Sequence, residues 1–104
     1  MEEEKYLREM YQDDYYPKFL VDKIKVLLKE VEAVLASGEK DLAVIQAAFD
    51  KATLAINDLE SEFNENDSEI ETVARDDIGE TVGALLDAYQ IDLDVEDAIR
   101  EREW

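Results

Sequence analysis

The strongest constraint on the fold is an apolar residue at every third or fourth position, over three separate stretches of the chain. This spacing places side chains on one face of a helix. Pro17 suits the first turn of the first helix, and Gly38 suits its end. We therefore predict a helix over about 17–36. Its apolar positions are Leu20, Ile24, Leu27, Leu28, Val31, Val34 and Leu35.

Two further long helices follow the same pattern. The second is predicted over about 41–65, with Asp41 as its N-cap and "NEND" at its end. Ser68 and Glu71 form a capping-box pattern that predicts the start of the third helix. The apolar positions of the second stripe are Leu42, Ile45, Phe49, Ala52, Ile56, Leu59 and Phe63, and those of the third are Ile70, Val73, Ala74, Ile78, Val82, Leu85 and Tyr89.

Short helices are predicted at both ends of the chain, over about 3–11 and about 94–101, with Asp94 as the cap of the last one. No stretch alternates apolar and polar residues over the length of a strand. The predicted fold class is all-α. We expect an antiparallel helical bundle of three long helices plus the short terminal helices, as one domain over residues 1–104.

Charge is distributed very unevenly along the chain. The net charge is −18, from 29 acidic and 11 basic residues, and residues 57–104 alone carry 17 acidic and 3 basic side chains. Such a surface repels phosphate backbones, so we expect no nucleic-acid partner. Apolar residues make up 46% and fall at helical spacing, which indicates a folded chain. Without a basic leader or an uninterrupted apolar run, the sequence predicts a cytoplasmic protein that does not engage membranes.

The residue types that most often carry catalysis are missing. The chain has no cysteine and no histidine, and its three serines have no base partner in the sequence. Thiol and imidazole chemistry and the usual zinc ligand sets are therefore excluded. No spacing nominates a pair of carboxylates for acid–base catalysis. We expect a non-enzymatic protein with no cofactor.

One stretch resembles a calcium loop in part. In "DLDVEDAIREREW", five residues match positions 1, 3, 5, 8 and 12 of such a loop. The position that should be glycine is Asp97, however, so the alternative is simply a capped helix start. The residues concerned are Asp92, Asp94, Glu96, Ile99 and Glu103.

Two polar stretches contain the candidate binding residues. "MYQDDYYPKFL" includes Tyr15 and Tyr16, and tyrosine suits both packing and recognition. "EFNENDSEIETVARDD" includes Glu62, Glu71 and Arg75, which is the only basic residue between positions 51 and 100. Arg75 is predicted to pair with the glutamates across a helix hairpin. Alternatively, these five residues line a polar pocket.

The segments "MYQDDYYPKFLVDKIK", "EFNENDSEIETVARDDIGETV" and "REREW" resemble those of a family of small bacterial proteins classed as a domain of unknown function. The likeness runs from about Tyr6 to Trp104. It implies a bacterial, cytosolic protein. It supplies no activity, ligand or catalytic residue.

Three hypotheses for function follow. The preferred one is a binding module whose acidic second half engages a basic protein surface, like an inhibitor, an immunity protein or a nucleic-acid mimic. The second is a small-molecule or metal-dependent protein with a polar pocket around Glu71 and Arg75. The third is a homodimeric structural protein, and the sequence leaves the oligomeric state open.

Overall fold

The computed structural model describes residues 1–104 and is all-α, with no strands. A 3-10 turn at Glu3–Lys5 precedes five α-helices. These are α1 (Arg8–Gln12), α2 (Lys18–Ala36), α3 (Leu42–Glu65), α4 (Thr72–Ala88) and α5 (Val95–Ala98).

α2 and α3 form the most extensive helix–helix contact of the molecule. Their predicted bounds are confirmed to within a residue, because both ends carry local signals. Asp41 caps α3 by accepting a hydrogen bond from the Ala43 amide at 2.9 Å. Gly38 ends the α2 turn with a φ of 88°, a left-handed conformation that costs glycine little.

The third long helix begins later than the capping box predicts. Asp67 has a φ of 59°, and the Ser68 amide donates to the Phe63 carbonyl at 2.9 Å. This is the Schellman arrangement that closes a helix, so Ser68 belongs to the end of α3. Glu71 occupies the N-cap position of α4 without a side-chain hydrogen bond. The capping-box prediction is therefore wrong.

The N-terminal segment is not one continuous helix. Leu7 has a φ of 51° and separates the 3-10 turn from α1. Its amide donates to Thr81 Oγ1 of α4 at 3.1 Å, a contact across the fold that no local pattern encodes. Tyr6, Leu7 and Met10 of this segment are fully buried, and Tyr11 is partly buried.

α4 packs chiefly against α1 and α5. The last helix is shorter than predicted, but Asp94 caps it as expected by accepting from the Glu96 amide at 3.1 Å. A single hydrophobic core cluster joins buried side chains from all five helices and from the C-terminal Trp104. No helix is both long enough and apolar enough to cross a membrane.

Candidate functional site

A concave pocket of about 500 Å³ lies where the segment before α2 meets the start of α4. Tyr15, Tyr16, Glu71 and Arg75 all line it, so the structure gathers four of the five candidate binding residues. The fifth, Glu62, does not line the pocket.

The two tyrosines have different surroundings. Tyr16 is buried, and its hydroxyl accepts a hydrogen bond from the Ala74 amide at 3.2 Å. That amide lies in the first turn of α4, so Tyr16 substitutes for the missing side-chain cap. Tyr15 packs edge-on against Tyr16, with ring centroids 5.1 Å apart, and remains 40% exposed. Tyr15 is therefore the aromatic surface that a ligand or partner could touch.

The charges around Tyr15 are mostly negative. Desolvation raises the pKa of the Tyr15 hydroxyl, and the nearby carboxylates of Glu71 and Glu69 raise it further. The hydroxyl is thus a neutral donor at physiological pH. Asp13 also lines the pocket and accepts from the Tyr15 amide at 2.9 Å. The pocket combines an aromatic edge, three carboxylates and one guanidinium.

Arg75 does not form the predicted ion pairs. Its side chain is exposed, with no carboxylate within 4.0 Å. Glu71 has extended backbone angles, so the two residues lack the side-chain alignment of an i,i+4 pair inside a helix. The hydrogen bond between these two residues runs from the backbone amide of Arg75 to the backbone carbonyl of Glu71. Glu62 instead pairs with Lys23 of α2 at 2.7 Å. The predicted pairing of Arg75 with Glu71 and with Glu62 is therefore wrong for both glutamates.

Arg75 also borders a second depression, of about 390 Å³, between α4 and the C-terminal segment. Its other lining residues include Asp76, Glu80, Glu96 and Arg102. The unpaired guanidinium therefore lies between two concave surfaces, both of them rich in carboxylates.

The acidic half of the chain stays largely uncompensated in the folded protein. Of its 17 carboxylate side chains, only Glu62, Glu96 and Glu101 take part in ion pairs. The Glu101 contact is long, at 3.9 Å. Most of the remaining carboxylates are exposed. The result is a broad negative surface over the end of α3, α4 and the C-terminal segment.

The residues of the calcium-like stretch are engaged separately. Asp94 caps α5, Glu96 pairs with Arg102 at 3.1 Å, and the Glu103 amide donates to Asn57 Oδ1 at 3.0 Å. Asp92 is exposed. No group of three or more acidic side chains in the structure is arranged to hold a metal ion.

Two carboxylates with structural roles have no signal in the sequence. Asp77 is 3% exposed, and its Oδ2 accepts from the Met10 amide at 2.8 Å. Burial raises the pKa of the Asp77 carboxyl, and the charges of Glu80 and Glu9 add to the effect. Because these contacts join distant parts of the chain, local spacing cannot reveal them.

Glu32 of α2 is the second such carboxylate. It accepts hydrogen bonds from the N-terminal amino group of Met1, from the Tyr6 hydroxyl and from the Tyr89 hydroxyl, the last at 2.8 Å. Burial opposes its ionisation, but the three donors outweigh burial and lower the pKa of Glu32. Glu32 thereby connects the N-terminal segment and the end of α4 to α2.

The chain belongs to DUF5713, a family of unknown function, whose sequence model matches residues 1–104. No curated protein and no solved structure matches it.

Proposed function

We propose that this member of DUF5713 is a non-enzymatic protein of the cytoplasm that binds a basic partner protein through its acidic surface, residues 57–104. One observation carries the proposal: only three of the 17 carboxylates in this half are in ion pairs. A partner with a lysine- and arginine-rich surface would supply the missing counter-charges. Such a field accelerates encounter and weakens with salt.

The exposure of the carboxylates supports a role in binding a partner over a role in stabilising the fold of the chain itself. Asp76, Glu80, Asp87 and Asp92 are exposed and unpaired along α4 and the segment that follows it. None of them caps a helix. Their cost to the folded state is mutual repulsion, which a basic partner would relieve.

The test compares two sets of charge changes of equal size. In the test variant, Asp76, Asp87 and Asp92 become Asn and Glu80 becomes Gln. In the control variant, four exposed acids of the first half are neutralised in the same way, namely Glu2, Glu4, Asp14 and Glu30. Each immobilised protein is exposed to a bacterial lysate at low and at high salt, and bound proteins are identified by mass spectrometry.

We expect the unchanged protein and the control variant to retain the same basic protein at low salt and to release it at high salt. The test variant should retain much less of it. Recovery of no specific protein at low salt, or equal loss in both variants, would refute the proposal.

A second function is favoured by the pocket around Tyr15. It brings Tyr15, Tyr16, Glu71 and an unpaired Arg75 together, as a polar small-molecule site would. The test is a screen of polar small molecules by the change in melting temperature. A hit that stabilises the unchanged protein and the Val44→Lys variant, but not the Tyr15→Ala variant, would support this function. Compounds that raise the melting temperature of the Tyr15→Ala variant as much as that of the unchanged protein would contradict it.

A further inference from the structure

An apolar groove of about 520 Å³ runs between α2 and α3 on their outer side. Val26 and Leu27 of α2 and Ala55 and Leu59 of α3 contribute its apolar lining. Val26 is 57% exposed, more than any other large apolar residue of the chain. The groove lies apart from the tyrosine pocket, with which it shares no residue.

The apolar surface extends beyond the groove itself. Phe19 lies seven residues before Val26, hence on the same face of α2, and is 50% exposed. Leu54 of α3 lies four residues before Asp58 of the groove lining, hence on the same face of that helix, and is 47% exposed. Single exposed apolar residues are normal on a surface, but an apolar strip made of a groove and of exposed side chains on the same helix faces is typical of an interaction site.

Carboxylates border this strip. Asp22 and Asp58 line the groove, and the one basic residue there, Lys23, is already paired with Glu62. Lys23 also lies over the Phe19 ring, 5.9 Å from its centroid. The groove therefore combines apolar side chains with two carboxylates that form no ion pair. One of them, Asp22, accepts a hydrogen bond from the Tyr11 hydroxyl at 2.6 Å.

These features select one occupant by charge complementarity. We propose that the α2–α3 groove receives an amphipathic helix of a partner protein, whose apolar side chains fill the groove and whose flanking lysines or arginines face Asp22 and Asp58. A second copy of this chain fits poorly, because each copy carries a net charge of −18. The proposal rests on the proposed function, since the partner is basic, and it assigns the segment of that partner that docks.

The experiment uses two synthetic fluorescein-labelled peptides of 18 residues built from leucine, lysine and alanine. In one, leucines recur at i, i+3, i+4 and i+7. The other has the same composition and charge, with the leucines spread around the helix. Fluorescence anisotropy gives the affinity for the unchanged protein, for Val26→Lys and for Val44→Lys. Val44 is 43% exposed and does not line the groove, so the second variant is a control with an identical change of charge.

We expect the amphipathic peptide to bind the unchanged protein about tenfold more tightly than the scrambled one. Val26→Lys should weaken its binding about tenfold, and Val44→Lys by less than about threefold. Phe19→Lys, on the same strip, should weaken binding in the same direction as Val26→Lys. Circular dichroism checks that each variant keeps its helix content.

Several outcomes overturn the groove proposal. Equal affinities for the two peptides, or equal weakening by Val26→Lys and Val44→Lys, would show binding by net charge alone and would leave the proposed function standing. A dimer in sedimentation that Val26→Lys dissociates would assign the groove to a second copy. Binding to anionic lipid vesicles that Val26→Lys abolishes would assign it to a membrane. No binding of either peptide rejects the groove, and the lysate capture then decides the proposed function by itself.

Discussion

Replacing Asp77 tests whether one helix end is held by a side chain from elsewhere in the fold. The Met10 amide lies in the first turn of α1, where helices leave amide donors unsatisfied, and Asp77 of α4 supplies its acceptor. Met10 is fully buried, and Asp77 is the acceptor that the fold provides for its amide. In Asp77→Ala the amide loses its partner, at a cost of about 1–3 kcal/mol. For a chain of this length, that lowers the melting temperature by about 5–20 °C.

Asp77→Asn separates the hydrogen bond from the charge. Its amide oxygen can still accept from Met10, and it removes a buried negative charge. We therefore expect a loss below about 1 kcal/mol at pH 7. The pKa of Asp77 is raised in the fold, so protonation favours the folded state. This contribution is full below the ordinary aspartate pKa and is lost as pH rises through the raised value. The stability of Asp77→Asn relative to the unchanged protein should thus improve as pH rises.

Urea unfolding followed by circular dichroism measures these free energies, with Asp76→Ala as the matched control. Asp76 is the adjacent residue, exposed and without an ion pair. If the free energy of unfolding of Asp77→Ala lies within about 0.5 kcal/mol of that of Asp76→Ala, the capping role of Asp77 is refuted. If Asp77→Ala and Asp77→Asn are equally destabilised, the lost acceptor is not the cause.

Two further predictions concern charge. Glu32→Gln should cost about 1–3 kcal/mol at pH 7 and should flatten the loss of stability on acidification, because a lowered pKa makes the Glu32 contribution present above the ordinary glutamate pKa and lost as pH falls. Urea midpoints between pH 7 and pH 3 check this, and parallel curves for the two proteins would contradict it. Raising sodium chloride from 10 to 150 mM should raise the melting temperature by about 2–5 °C, since screening weakens repulsion among unpaired carboxylates. An unchanged or lower value in calorimetry would show that this repulsion does not limit stability.

The long helices could be predicted because their signals are local. Apolar spacing and residues such as Asp41 and Gly38 act within a few positions of the helix they define. Ser68 misled for the same reason: one serine suits both the N-cap of α4 and the last turn of α3, and only the backbone angle of Asp67 separates the two. Leu7 breaks the first helix to reach Thr81, a residue 74 positions away.

The tyrosine pocket could be anticipated in part, because its residues come from two short segments. The partner of Glu62 could not, since the pair with Lys23 depends on the register of α2 against α3. The groove could not be predicted for a similar reason, because it depends on how α2 packs against α3. Leu27 and Leu59 belong to the predicted core stripes and are partly buried against the core, yet they also line the groove. The packing angle of the two helices decides how much of each side chain is exposed.

The two hydrogen bonds that attach the N-terminal segment to α4 also bear on the order of folding. The helix pair α2–α3 joins residues close in sequence, whereas Leu7 and Met10 must find partners 74 and 67 residues away. Closing such large loops is entropically costly, so we expect this contact to form late in folding. The same amides would then open through a partial unfolding that leaves α2–α3 intact. We therefore expect the amides of Leu7 and Met10 to exchange hydrogen faster than the amides within α2 and α3, although both residues are fully buried.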